Sequence, residues 1–213
     1  MTQLYSFFNS STSYRVRIAL ELKGKQIDYV PTNIRTLEHR APDYTALNPS
    51  KSVPTLVNGD MHLGQSIAII DYLDSMIPEP RLIPLQQPLR ARVLELSLAI
   101  ACDIHPINNL RVLRYLQESL QIGTTLKDDW YKHWVSEGME MVEGLLQKHG
   151  AGPFCFGETP TLADCCLIPQ IANALRMGCD LRQYSRAMSV YDHCIAMPEF
   201  LAAAPQAQLD YVA

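Results

Sequence analysis

The alternation of hydrophobic and polar positions changes character once along this chain. Up to about residue 80, short apolar runs alternate with helical patterns. Leu4 to Phe8 (LYSFF) has strand length, and Val16, Ala19 and Leu20 follow at three- and four-residue spacing, predicting a helix that closes at Gly24. IDYV reads as a second strand, and PTLVNGDMHL as two strands joined by the turn Asn58-Gly59-Asp60. SIAIIDYLDSM is an amphipathic helix with Ser66 as its predicted cap. The order is therefore βαβ, a weakly patterned middle, then ββα.

The stretch IPEPRLIPLQQP, with Pro78, Pro80, Pro84 and Pro88, interrupts this pattern, because proline breaks helices and favours extended connections. It divides the chain into an α/β domain at 1–80, a linker at 81–88 and an all-α domain at 89–213. In the latter, three helical faces are expected: Leu94, Leu98 and Ala101; Trp130, Trp134, Met141 and Leu145; and Met188, Tyr191 and Ile195. Trp130 and Trp134 read as core. Thr161 and Asp164 form the acidic variant of a capping box ahead of LADCCLIPQIANAL, and Pro169 inside that helix implies a kink.

Composition narrows the function. The chain has 213 residues, 47% of them hydrophobic, which is material for a sizeable core. Its net charge of -4 and the lack of a basic run argue against a nucleic-acid partner. LELSLAIACDIHPI is broken by Glu95, Asp103 and His105 before the roughly 18 residues of a membrane span, so no membrane is expected. MTQLYSFFNS lacks the basic start and apolar core of an export signal, which suggests the cytoplasm. The cysteines at 102, 155, 165, 166, 179 and 194 contain no C-x-x-C spacing. They read as small apolar residues, with no metal site.

Five hydroxyl-bearing residues, Ser10 to Tyr14, precede the first helical pattern. A helix starting near Ser13 leaves amides unpaired and carries partial positive charge there, so an anion such as a thiolate is stabilised. Ser10, Ser11 and Thr12 can donate to it, or simply cap the helix. Val53 precedes Pro54 at a strand start; a cis bond there would present the Val53 backbone to a peptide-like ligand. Gln65 and Ser66 open a helix whose first amides suit a carboxylate. His105, Asn108 and Asn109 share a helical face by spacing. Together these signals describe a site for a small, anionic, peptide-like thiol.

SSTSYRVRIALELKG, LNPSKSVPTL, GQSIAIIDYL, CDIHPINNLRVLRYL and GETPTLADCCLIPQIANALRMGCDL resemble, in this order, the zeta class of glutathione transferases. The resemblance implies a thioredoxin-like domain followed by a helical domain, a homodimer, and glutathione as cofactor. By position, it assigns Ser10, Ser11 and Thr12 to the glutathione sulfur, and His39, Val53, Gln65 and Ser66 to the rest of that molecule. His105 and the stretch Asn109, Leu110 and Arg111 would reach glutathione from the helical domain. Arg176 and Asn108 would meet the acidic substrate. The implied reaction is cis–trans isomerisation of a maleyl keto acid, maleylacetoacetate or maleylpyruvate, to its fumaryl isomer. The alternative is a general transferase that conjugates or dehalogenates small electrophiles. Two positions depart from the family: Thr12 replaces a frequent cysteine, and Asn9 a frequent arginine.

Overall fold

The computed structural model describes residues 2–212. The chain up to Ile83, together with the segment from Ile195 onward, forms one compact unit, and Pro84–Cys194 forms a second.

The first unit is built on four strands, β1 (Thr2–Ser6), β2 (Asp28–Pro31), β3 (Thr55–Asn58) and β4 (Met61–Leu63), in the spatial order β2-β1-β3-β4. Helix α1 (Ser11–Leu22) supplies the crossover that parallel pairing of β1 and β2 requires. β3 runs antiparallel to both β1 and β4, and Gly59 takes φ +61° in the tight turn between β3 and β4. Leu4, on a central strand, is fully buried between register partners Tyr29 and Leu56. A short helix α2 (Pro42–Leu47) fills the weakly patterned middle, and α3 (Ser66–Met76) follows β4. Val16, Ala19 and Leu20 of α1 are buried, as the spacing predicts, and Ile18, off that spacing, is buried as well.

The C-terminal segment behaves differently from the expectation that everything after residue 88 joins the helical domain. Helix α9 (Pro198–Ala203) buries Phe200 and Ala203, and α1 grips it. The Arg17 side chain donates from Nε to the Ala203 carbonyl at 2.9 Å, and Tyr14 Oη donates to that of Phe200 at 3.3 Å. The proline-rich stretch is also tied down. Asp74 accepts the amides of Leu82 (3.0 Å) and Ile83 (2.6 Å) and pairs with Lys23 at 2.7 Å in a buried ion pair.

In the second unit α4 (Leu89–Leu98) runs into a wide π turn at Ala99–Ile104, followed by α5 (Leu110–Arg114), the long α6 (Thr124–His149), α7 (Leu162–Arg176) and α8 (Ser185–Ile195). Helix α7 is buried along most of its length and continues through Pro169. Its start carries the expected box: Asp164 accepts the Thr161 amide at 2.7 Å, and Thr161 Oγ1 accepts the Ala163 amide at 3.3 Å. Asp164 also accepts the Cys155 amide at 2.8 Å. Burial raises the Asp164 carboxyl, and these bonds pull it back.

The predicted faces of the other helices are out of phase. The buried positions are Val93, Leu96 and Ile100; Tyr131, Val135, Met139, Val142 and Leu146; and Ala187, Val190 and Cys194. Leu98 and Met141 are exposed, and Trp130 and Trp134 are only half-buried rather than core, their rings meeting edge to face 5.7 Å apart. These helices carry apolar residues on two sides, and hydropathy alone does not choose which side faces a neighbour. The π turn further shifts the phase after Leu98. Gly138 marks the close approach of α6 to that turn, where an added Cβ would meet Ile104 Cγ1 at 2.3 Å. Among the described residues, no helix is long and apolar enough to cross a membrane.

Candidate functional site

Helix α1 starts at Ser11, two residues before the expected Ser13, and Ser10 is its N-cap with φ −85° and ψ 118°. Ser10 Oγ accepts the Ser13 amide at 3.2 Å and lies 2.9 Å from Thr12 Oγ1. Thr12 Oγ1 in turn donates to the Val53 carbonyl at 2.9 Å. Thr12 has one hydroxyl proton, and Val53 receives it. Ser10 must then be the donor between the two hydroxyls. Capping and a hydroxyl relay therefore coexist at Ser10, which is buried, while Ser11 and Thr12 are half-buried. The first turn of α1 contains no acidic residue, so nothing in it offsets the positive end of the helix.

The Val53–Pro54 bond is cis. The loop before it is held by Asn48, whose Nδ2 donates to the Ser52 carbonyl at 2.9 Å and to Thr55 Oγ1 at 2.8 Å. The Val53 carbonyl is engaged by Thr12, whereas its amide has no partner among the described residues. His39 is buried in the single turn Glu38–Arg40.

Ser66 is not the cap of α3, as its position suggested, but its first residue. Gln65 occupies the cap position at φ 66° and ψ 111°, without a side-chain capping bond. A non-glycine residue at positive φ is strained, and such positions concentrate at functional sites. Ser66 is buried, and its Oγ lies 3.4 Å from Arg15 Nη1. Helix α1 thus reaches a loop and a helix start with residues three apart: Thr12 meets Val53 and Arg15 meets Ser66. Sequence reasoning missed Arg15. Its signal was one of two cations, Arg15 and Arg17, inside the otherwise largely apolar helical run YRVRIAL.

The remaining predicted residues lie on the second unit. His105 follows the π turn and is half-buried. Asn109 caps α5, accepting the amides of Arg111 (3.1 Å) and Val112 (3.3 Å). Leu110 is half-buried and Arg111 exposed. Asn108 is buried and donates to the Tyr131 carbonyl at 3.3 Å. Arg176, exposed at the end of α7, donates to Asn173 Oδ1 at 2.5 Å, and Asn173 donates to Tyr131 Oη at 2.8 Å. Tyr131 therefore connects the two residues expected to meet substrate. Burial raises its phenol, which stays neutral at ordinary pH.

Residues 2–75 match the glutathione S-transferase N-terminal domain family. A probable maleylacetoacetate isomerase of Vibrio cholerae is 42% identical over 211 residues, covering 97% of each chain. The holo structure of maleyl pyruvate isomerase, a bacterial glutathione S-transferase of the zeta class, superposes with a TM-score of 0.96 at 41% identity, covering 99% of this chain and 100% of that one. The maleylacetoacetate isomerase of Anaeromyxobacter dehalogenans, with glutathione bound in its active site, gives a TM-score of 0.89 at 35% identity, covering 100% and 98%.

Proposed function

The chain belongs to the zeta class of glutathione transferases, and from that premise we propose that it is a glutathione-dependent cis–trans isomerase converting a maleyl keto acid to its fumaryl isomer. The observation that carries the reading is the hydroxyl relay at the acid-free start of α1, joined through Thr12 to the Val53 edge. Glutathione fits these residues: an unpaired backbone amide suits its peptide portion, and two helix starts suit its thiolate and its carboxylate.

When bound, glutathione supplies a thiolate whose reversible addition to the maleyl double bond permits rotation and then regenerates the thiol. The chain's task is to hold charge in place. Ser10, Ser11 and Thr12 keep the sulfur anionic, Ser10 and Thr12 by turning their single hydroxyl protons out of the relay and toward the thiolate when glutathione binds. The Val53 amide and His39 orient the peptide, and Gln65 and Ser66 take the γ-glutamyl end. His105 and the stretch Asn109, Leu110 and Arg111 complete glutathione binding. Arg176 and Asn108 recognise the dicarboxylate, Arg176 because a guanidinium can bind a carboxylate through two parallel hydrogen bonds. With asparagine at position 9, where relatives often carry arginine, more of this recognition falls to Arg176.

The reading extends to a homodimer in a reducing compartment. Exposed Leu85, Leu89 and Leu98 support the first, and the buried thiols of Cys155, Cys165, Cys166 and Cys194 support the second.

The test is turnover of maleylacetoacetate and maleylpyruvate with and without glutathione. Activity is expected only with glutathione and not with a thiol lacking the γ-glutamyl group. Full activity of thiol-free protein overturns the reading. Conjugation of a neutral electrophile with neither acid isomerised would make the chain a general transferase.

A further inference from the structure

Arg15 is the least comfortable side chain in the first unit. It is 1% exposed, and its Nε and Nη2 have no hydrogen-bond partner among the described residues. Among the described residues no carboxylate pairs with it. A buried guanidinium with two unmatched nitrogens costs stability, and folding alone gives no reason to keep it. Its remaining direction is informative. Nη1 approaches Ser66 Oγ at 3.4 Å, at the first residue of an eleven-residue helix whose first-turn amides have no intrahelical acceptor.

A serine hydroxyl has one proton and two lone pairs. With Arg15 donating toward the oxygen, the Ser66 proton must turn elsewhere. No acceptor for it is present among the described residues. The helix start, a hydroxyl turned to donate and a buried cation behind it all favour negative charge at one spot.

Resting on the glutathione reading above, we propose that Arg15 is a positioning residue for ligand binding. It orients the Ser66 hydroxyl and supplies the positive charge that makes this subsite select the α-carboxylate of the γ-glutamyl group. Arg15 acts from inside the protein and does not touch the ligand. The charge of the bound carboxylate compensates the buried guanidinium, so Arg15 trades stability of the ligand-free protein for affinity.

Calorimetric titration of the full-length protein tests this with two ligands: glutathione, and the analogue in which 4-aminobutyrate replaces the γ-glutamate and so lacks the α-carboxylate. In Arg15→Met the dissociation constant for glutathione should rise about ten- to a hundredfold, the span of the one charge-assisted hydrogen bond from Ser66 that Arg15 orients, and that for the analogue less than about threefold. The ligand-free variant should melt no lower than wild type, which a purely structural arginine would not allow. Should Arg15→Met fail to fold, Arg15→Lys and Arg15→Gln give the same ratio of dissociation constants: lysine should preserve the preference for glutathione over the analogue, and glutamine should lose it. Equal changes for both ligands, or none, overturn the role of Arg15 while leaving the glutathione reading intact. Failure of the wild-type protein to bind glutathione overturns both.

Discussion

At the scale of single residues, the hydroxyl cluster shows how one side chain can cap a helix and still direct its proton to a second hydroxyl. Ser10 accepts from the Ser13 amide and donates to Thr12, so its cap is an acceptor function and its proton belongs to the relay. Ser10→Ala should therefore lower stability by about 0.5–2 kcal/mol, the range for a lost cap, in denaturant unfolding. If the same hydroxyl also steadies the sulfur, the thiol of bound glutathione should titrate at higher pH and turnover should fall about tenfold or more. Loss of stability with an unchanged thiol titration would confine Ser10 to capping and shift the donor role to Ser11 or Thr12. The residue types of this cluster were legible in sequence, because oxygen-bearing side chains crowd a helix start. Their bonding order was not, since it depends on the Val53 carbonyl, distant in sequence and brought alongside by the sheet. Arg15 escaped notice for a related reason. A buried cation has no periodic signature of its own and looks like any arginine on a helix.

At the scale of elements, starts and turns were more legible than faces. The Thr161–Asp164 box is local chemistry, and it is present as the spacing implies. Its wider role was not readable: the same carboxylate also takes the Cys155 amide, nine residues upstream. Asp164→Ala thus removes a cap worth about 1 kcal/mol and leaves a buried amide whose lost partner costs about 1–3 kcal/mol more. We expect a destabilisation of about 2–4 kcal/mol by denaturant titration, with the turnover number of the remaining folded protein unchanged. A normally stable variant with no turnover would place Asp164 in the chemistry instead. The faces of α4, α6 and α8 failed where α1 succeeded. α1 is buried on every side from Ser13 to Leu20, against α3 and α9 among others, so any apolar spacing along it falls on buried positions. By contrast, Leu98, Met141 and the half-buried tryptophans form a second apolar stripe on helices that keep one side exposed. Hydropathy counts both stripes, and only packing distinguishes them.

At the scale of the whole molecule, the family match to residues 2–75 understates the compact unit that holds the hydroxyl cluster. The segment from Ile195 onward completes it, and its last anchor, Asp210, lies beside the loop that leads to Ser10. Asp210 accepts the Phe8 amide at 3.0 Å through one oxygen and the Tyr29 hydroxyl at 2.6 Å through the other. Burial, helped by this bond, holds the Tyr29 phenol well above its ordinary range, so it remains a donor at any pH where the enzyme works. Arg17 binds the same loop from the opposite direction, donating to the carbonyls of Phe7 (3.3 Å) and Phe8 (3.0 Å); burial lowers its guanidinium to about 10, still charged at neutral pH. Phe8 is thus fixed at both its amide and its carbonyl, two residues before the cap Ser10. No sequence pattern announces this, because a carboxylate near a chain end reads as solvated surface. Asp210→Ala should cost about 1–3 kcal/mol of stability for the lost bonds and speed hydrogen exchange at the Phe8 and Ser13 amides. A looser loop should also raise the dissociation constant for glutathione several-fold, whereas the preference for glutathione over its decarboxylated analogue, set at Ser66, should stay as in wild type. Unchanged exchange at Phe8 and Ser13 would show that Arg17 alone holds the loop, and that the C-terminal segment contributes packing through Phe200 without steering the sulfur site.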